Sequence, residues 1–407
     1  MKKRIILHCD LNNFFASVSL LFNKTLYDMP VAVCGREEDR HGIVLAKNEI
    51  AKKFGVKTAE TVREAKKKCP NLVILPPDYE AYKKYSLMAR EIYGRFTDMI
   101  EPFGIDECWL DVTGSEKLFG SGYEIAEKIR KAIKKELGIT VSVGVSFNKI
   151  FAKLGSDMKK PDGVTVITEE NFKDKIWKTD AADLLFIGKS TASRLKSIGV
   201  VTIGDLARCD ENTLKNLLGK TGPILKSYAC GEDNSPVKYI SEKSVPKSIG
   251  RSVTLDHDID SLDEVWKILL TLSGEIAFSL KKSGLFAGGV QIHIRDSNLN
   301  VKEISSKLES GSDNSLEIAR FGFNIFKENY PHSFSLRSLG IRAFNLKNDN
   351  FAVQPSFFEN TEEKALDEKI ENSLDLLNEK FGKNTVKRAS VIEKSGQNSC
   401  NSKDNSV

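Results

Sequence analysis

The stretch FGIDECWLDVT, Phe103 to Thr113, sets two acids, Asp106 and Glu107, side by side in a run that otherwise alternates like a strand. In one straight strand they would point to opposite faces, and one would enter an apolar layer with Cys108, Leu110 and Val112. A turn over Gly104 to Glu107 avoids burying an unpaired carboxylate, because both side chains can then swing to one sheet edge. Asp10 ends another apolar strand, Ile5 to Asp10, and is placed to meet them there. Three carboxylates on one edge repel one another unless positive charge sits among them. Mg²⁺ takes oxygen ligands, and two such ions about 3.5 to 4 Å apart suit phosphoryl transfer. The plainer alternative is a set of solvated turn acids, salt-bridged to Lys149 or Lys153.

Several elements must position these acids. After Asp10 the spacing of Phe15, Val18, Leu21 and Phe22 switches to helical. PVAVCG and GIVLAKN read as short strands, followed by two short helical patterns ending at Pro70, a strand in NLVILPP and a helix over Tyr79 to Phe96. MIEPF, the acidic stretch, a helix from Tyr123 to Leu137, the strand ITVSVGVS, a helix starting near Asn148 and the PDG turn before VTVI complete a βαββαβ-type sheet with helices on one face. Residues 169–230 read as short helices punctuated by glycines, and 233–247 as a polar, proline-containing linker. A second βαββαβ pattern follows, and the composition turns polar and charged near residue 347.

The chain has 407 residues, enough for several cores, and no apolar run approaches the roughly 20 residues that cross a bilayer. The opening MKKRIILHCD loses its apolar run at His8, so it reads as a first strand of a cytoplasmic protein and not as a signal peptide. Seven widely spaced cysteines without a CxxC pair read as reduced thiols, and five scattered histidines argue against zinc. Residues 350–407 hold 10 acidic and 8 basic side chains, so the first 349 carry +7 of a net +5. That excess suits a polyanionic partner or simply a solvated basic surface.

Taken in order, HCDLNNFFASV, FGIDECWLDVT and VGVSFNKIFAKLGSDMKKPDG resemble the palm motifs of Y-family translesion DNA polymerases, nearest the bacterial DNA polymerase IV branch. The resemblance spans residues 4–346. It implies an α+β multidomain chain: a βαββαβ palm (1–10 and 77–167) with a fingers insertion (11–76), a helical thumb with a helix-hairpin-helix (168–232), the linker (233–247), a second βαββαβ domain or little finger (248–346), and a clamp-binding, flexible tail (347–407). It further implies template-directed DNA synthesis by a monomer on primer-template DNA and dNTPs. Asp10, Asp106 and Glu107 match the family's metal-binding catalytic acids, with Leu11 offering a backbone carbonyl to two Mg²⁺ ions, Mn²⁺ being a substitute. Phe15 matches the residue stacked under the incoming sugar, and Lys160 the triphosphate-binding lysine. Asn148 and Lys149 match a supporting S-x-N-K segment.

The chain also departs from that pattern. In LAKNEIAKKFG, Glu49 and Lys52 replace a Tyr and an Arg that grip the triphosphate; Lys52 keeps charge without bidentate geometry, and Lys47 is available to rebuild the grip. FIGKSTASRLKSIGV resembles the helix-hairpin-helix, with Phe186 where a glycine is usual. GKS at 188 and GKT at 219 lack the glycine five residues upstream that a P-loop requires. QPSFF resembles a sliding-clamp peptide, in which Gln354 bonds backbone while Phe357 and Phe358 fill an apolar pocket. Two other readings stay open: a nucleotidyl cyclase, since palm-like sheets also carry acidic hairpins, and a catalytically weak DNA-bound scaffold, which the Glu49 and Lys52 replacements would suit.

Overall fold

A computed structural model describes residues 3–35, 42–242, 245–330 and 334–348, with scattered positions between 369 and 386. The chain divides into two compact units, Met1–Lys243 and Ser244–Val407. In chain order the first unit runs β1 (Ile6–Leu11), α1 (Phe14–Leu21), β2 (Val31–Cys34), β3 (Val44–Lys47), α2 (Glu49–Lys53), α3 (Val62–Lys68), β4 (Val73–Leu75), α4 (Tyr79–Gly94), β5 (Ile100–Pro102), β6 (Glu107–Asp111), α5 (Glu116–Phe119), α6 (Gly122–Leu137), β7 (Val141–Ser146), α7 (Lys149–Met158) and β8 (Val164–Val166). Short helices α8 (Phe172–Ile176), α9 (Lys189–Ser197), α10 (Ile203–Arg208), α11 (Glu211–Leu218) and α12 (Thr221–Ala229) follow.

The palm sheet has the order β5-β6-β1-β7-β8. Alternation along its strands creates two chemically different faces. Leu7, Cys9 and Leu11 of β1, Cys108 and Leu110 of β6, and Val141, Val143 and Val145 of β7 face the apolar sides of α4 and α6. Helix α6 forms because Ile125, Ile129, Ile133 and Leu137 recur on one side behind a Ser121/Glu124 capping box.

The opposite face carries His8 and Asp10 of β1 with their register partners Trp109 and Glu107 of β6 and Gly144 and Ser142 of β7. Helix α7 lies across this face. The expectation of helices on one face is therefore corrected: α4 and α6 cover one side and α7 the other. Gly144 makes this possible, since a Cβ there would stand 1.9 Å from the Ala152 carbonyl oxygen.

A separate three-stranded sheet, β3-β2-β4, with α2 and α3 forms the fingers around Ala32, Val44, Val56 and Val62. The thumb helices close over Leu195, Ile203, Leu206, Leu214 and Leu225. The polar segment after Gly231 differs from a free linker over its first half. Arg4 donates to the Ser235 carbonyl at 2.7 Å, Lys238 N–H donates to Glu101 at 3.0 Å, and Val237 is buried. Two prolines concealed this docking, because the partners lie at distant positions on the palm.

The second unit contains β9 (Ser248–Ile259), α13 (Leu262–Ser283), β10 (Leu285–Asp296), β11 (Val301–Ser312), α14 (Ser315–Asn329), β12 (Leu336–Phe344) and β13 (Lys347–Asn348), with sheet order β11-β10-β12-β9. Leu269, Ile276 and Leu280 of α13 and Ile318 and Phe326 of α14 pack with Val290, Ile292, Leu339 and Ile341. Gln354, Phe357 and Phe358 lie outside the described residues. Among the described residues, no helix is long and apolar enough to cross a membrane.

Candidate active site

Strands β1 and β6 are antiparallel, and Asp10 sits directly opposite Glu107. Directly opposed residues share a face, so the two carboxylates meet without leaving their strands. The turn ahead of β6 closes when Phe103 N–H donates to the Glu107 carbonyl at 3.0 Å. The acids are thus divided between turn and strand: Asp106 is the last turn residue, whereas Glu107 starts the strand proper. Leu11 N–H donates to the Asp106 carbonyl at 3.1 Å, and because N–H and C=O of one strand residue point the same way, the Leu11 carbonyl faces the same edge. The Asp106 carboxylate folds back over Gly104, where a Cβ would stand 3.4 Å from it.

Helix α4 holds this turn from outside. Ser86 Oγ donates to the Ile105 carbonyl, and Arg90 Nη2 donates to the Gly104 carbonyl at 3.2 Å. These residues, four apart on one helix, carried no local signal of that role.

Positive charge comes from α7 and the turn after it. Lys153 Nζ donates to Glu107 Oε1 at 2.6 Å and to Asp10 Oδ2 at 3.4 Å, while Lys160 Nζ reaches Asp10 Oδ2 at 2.7 Å and Asp157 Oδ1 at 2.8 Å. Burial, reinforced by the charge on Asp10, holds the Asp106 carboxyl above its ordinary range. Glu107 is pushed up to about 7: burial and its contact with Asp10 outweigh the stabilising bond from Lys153. Burial acts against both lysines, yet their carboxylate partners raise them, so both stay charged.

His8 is fully buried beneath the acids. Ser156 Oγ donates to the Lys153 carbonyl at 2.7 Å, so the 2.9 Å contact between His8 Nδ1 and that hydroxyl requires Nδ1–H as donor. Nε2 is then the bare nitrogen, 3.8 Å from Glu107 Oε2. Burial and the two nearby ammonium groups keep this ring neutral.

The other sequence-singled residues divide between the site and its frame. Phe15 projects from the start of α1 and stacks on Tyr82, with centroids 4.2 Å apart and planes at 9°. Lys52 is half-exposed on α2, 3.6 Å from Glu49, and Lys47 donates to Thr58 at 2.8 Å. Asn148 caps α7 by accepting from Phe151 N–H at 2.7 Å, and Lys149 pairs with Glu101 at 2.8 Å over the Trp109 ring. Both frame the site without reaching the acids. Phe186 adopts a left-handed φ of 72°, the conformation a glycine would supply there.

Among the described residues, no three His, Cys, Asp or Glu side chains are already gathered around one point as a metal cage. Asp10 and Glu107 are drawn together by an ammonium instead. The donor chemistry still fits a hard divalent cation: three carboxylates and a backbone carbonyl are all oxygen ligands, and burial together with the charge on Asp10 holds Asp106 and Glu107 above their usual range, a cost that a bound cation would relieve.

Residues 9–157 match the impB/mucB/samB family, and residues 246–357 match the impB/mucB/samB family C-terminal domain. The chain is 47% identical to a DNA polymerase IV of Acetivibrio thermocellus over 97% of its own length and 99% of that protein. It is 37% identical to a DNA polymerase IV of Clostridium kluyveri over 96% of this chain and 99% of the relative. A solved Y-family DNA polymerase chimera superposes with a TM-score of 0.75 at 26% identity, covering 85% of this chain and all of the other. Neither the cyclase nor the scaffold reading is favoured by these relatives. With its acids on adjacent palm strands and its relatives aligned from end to end, the chain belongs to the impB/mucB/samB family of Y-family DNA polymerases, in the DNA polymerase IV group.

Proposed function

We propose that this translesion-type, DNA-directed DNA polymerase adds dNTPs to a primer 3′ end opposite damaged or distorted template, using Asp10, Asp106 and Glu107 as its catalytic acids. The observation that carries the site assignment is the register pairing of Asp10 with Glu107, with Lys153 and Lys160 as their only route to charge balance among the described contacts. The primer 3′-hydroxyl gives up its proton to solvent as its oxygen forms a bond to the α-phosphorus, the α–β anhydride bond breaks, and pyrophosphate leaves. Asp10, Asp106, Glu107 and the Leu11 carbonyl would hold two Mg²⁺ ions, or Mn²⁺ as a substitute, which would supply Lewis-acid stabilisation of charge on the attacking and leaving oxygens. Lys160 exchanges Asp10 for the triphosphate, Lys52 adds a second cation, and Phe15 lies under the sugar and crowds a 2′-hydroxyl.

The palm (1–10 and 77–167), fingers (11–76) and thumb (168–232) bind primer-template DNA, the little finger (248–346) is a further DNA-binding domain, and Gln354, Phe357 and Phe358 dock on the sliding clamp. The polymerase works as a monomer in the cytoplasm.

Purified protein with primed template, dNTPs and Mg²⁺ is expected to extend the primer, whereas Asp106→Ala is expected to be silent. Wild-type protein that leaves the primer unextended would sink the reading. A second measurement tests Glu107 as a ligand. Glu107 is raised to about 7, and a cation binds only the carboxylate, so Mg²⁺ binding should release a measurable fraction of a proton at pH 7 that falls towards none at pH 9. Calorimetry in buffers of different ionisation enthalpy reads this directly, and release that does not vary with pH places Glu107 away from the ion.

A further inference from the structure

The joint between the acid-bearing strand and α1, the helix that carries Phe15, consists of two residues, Asn12 and Asn13. Asn12 is fixed to the palm: its amide donates to Ser142 Oγ at 2.9 Å, and its oxygen accepts from Thr140 Oγ1 at 3.0 Å and from Asp162 N–H at 2.8 Å. Asn13 turns the other way. Its backbone is left-handed, φ 48° and ψ 39°, and its side chain makes no cap on α1, the helix it begins. Instead its Nδ2 donates to Glu49 Oε1 at 2.9 Å.

Glu49 is the first residue of α2, and that helix start is rigid. Asn48 Oδ1 accepts from Ala51 N–H at 2.9 Å and Val31 N–H at 3.1 Å, while its amide donates to the Met29 carbonyl at 2.8 Å. A carboxylate carried on this pinned helix start therefore holds the side chain of the residue two before Phe15. The same oxygen lies 3.6 Å from Lys52, so the negative charge is engaged by two donors of this chain.

We propose that Glu49 is a positioning residue for sugar selection: by holding Asn13 it fixes the left-handed turn from which Phe15 projects, and so sets the preference for deoxyribonucleotides. The inference rests on the reading of Phe15 as the residue under the sugar. It also accounts for an acid beside a triphosphate site, where a free carboxylate would only repel the substrate.

Single-nucleotide insertion with dNTP and rNTP gives kcat/KM for each. Glu49→Ala should lower the dNTP/rNTP ratio about tenfold, since small displacements of a positioned group carry effects of that order. Glu49→Gln keeps an acceptor for Asn13 and should hold the ratio near wild type. Asn13→Gly, which preserves the left-handed backbone and removes the amide, should match Glu49→Ala, and the double variant should be no worse than either. Relief of phosphate repulsion alone changes KM for both nucleotides alike and leaves the ratio unmoved. An unmoved ratio in Glu49→Ala, or an equal fall in Glu49→Gln, overturns the inference. Phe15→Ala separates the two readings: if its ratio collapses while that of Glu49→Ala does not, Glu49 alone loses its role. A flat ratio in Phe15→Ala removes the sugar-contact reading and this inference with it.

Discussion

Asp10→Asn is expected to reduce primer extension by a factor of about 10³ or more while leaving the thermal midpoint within a few degrees of wild type. The catalytic loss follows from the charge an acid contributes when it holds a divalent cation at the reacting phosphate, a contribution of several kcal/mol, and about 4 kcal/mol corresponds to 10³ in rate. The small effect on stability has a different origin. Asp10 is almost fully buried beside Glu107, so its ionised form repels a neighbour already pushed up to about 7. Removing that charge relieves Glu107 and costs Lys153 and Lys160 one partner each. Lys153 keeps Glu107 and lies 3.5 Å from Asp157, and Lys160 keeps Asp157 at 2.8 Å, so neither ammonium is left buried and unpaired. Rate and unfolding should therefore separate. A variant retaining a tenth of the wild-type kcat, measured by single-turnover insertion, would place the reaction away from Asp10.

Why the acids were legible while their supports were not follows from where each signal lies. Asp10 ends an apolar strand and Asp106 and Glu107 interrupt another, so period-two alternation alone exposes them. Lys153 emerges from the sequence only as one of a pair, Lys149 or Lys153. It is one of two lysines one helical turn apart on α7, and only the sheet beneath decides between them: Lys149 stands over Trp109 and meets Glu101, while Lys153 stands over Asp10 and Glu107. Ser86 and Arg90 are similar. Their partners are backbone carbonyls of the turn, which no side-chain pattern reveals. Misreading α7 as lying with α4 and α6 has the same root, because strand alternation shows that a sheet has two faces and does not say which helix covers each. Glu49 was visible as a departure, but its bond to Asn13 joins residues 36 apart, one at the start of α1 and the other at the start of α2.

Gly144→Ala tests whether that second face is built as tightly as its function requires. The added Cβ would stand 1.9 Å from the Ala152 carbonyl oxygen and 2.5 Å from the Ser156 nitrogen, both backbone atoms that cannot rotate aside. Overpacking of a core ordinarily costs about 1 to 3 kcal/mol, and a clash with helix backbone belongs at the upper end or beyond, so a loss of about 3 kcal/mol is expected in denaturant melts. Relief requires α7 to lift from β7, and α7 carries the groups that organise the acids. Ser156 would draw away from His8, now 2.9 Å distant, leaving a buried imidazole nitrogen without its acceptor, and the 2.6 Å bond from Lys153 to Glu107 would lengthen. The folded fraction should therefore also insert nucleotides more slowly. An unchanged denaturation midpoint would show that α7 can adjust without strain. A lowered midpoint with full activity would show that the helix stabilises the sheet but does not position Lys153 for the chemistry.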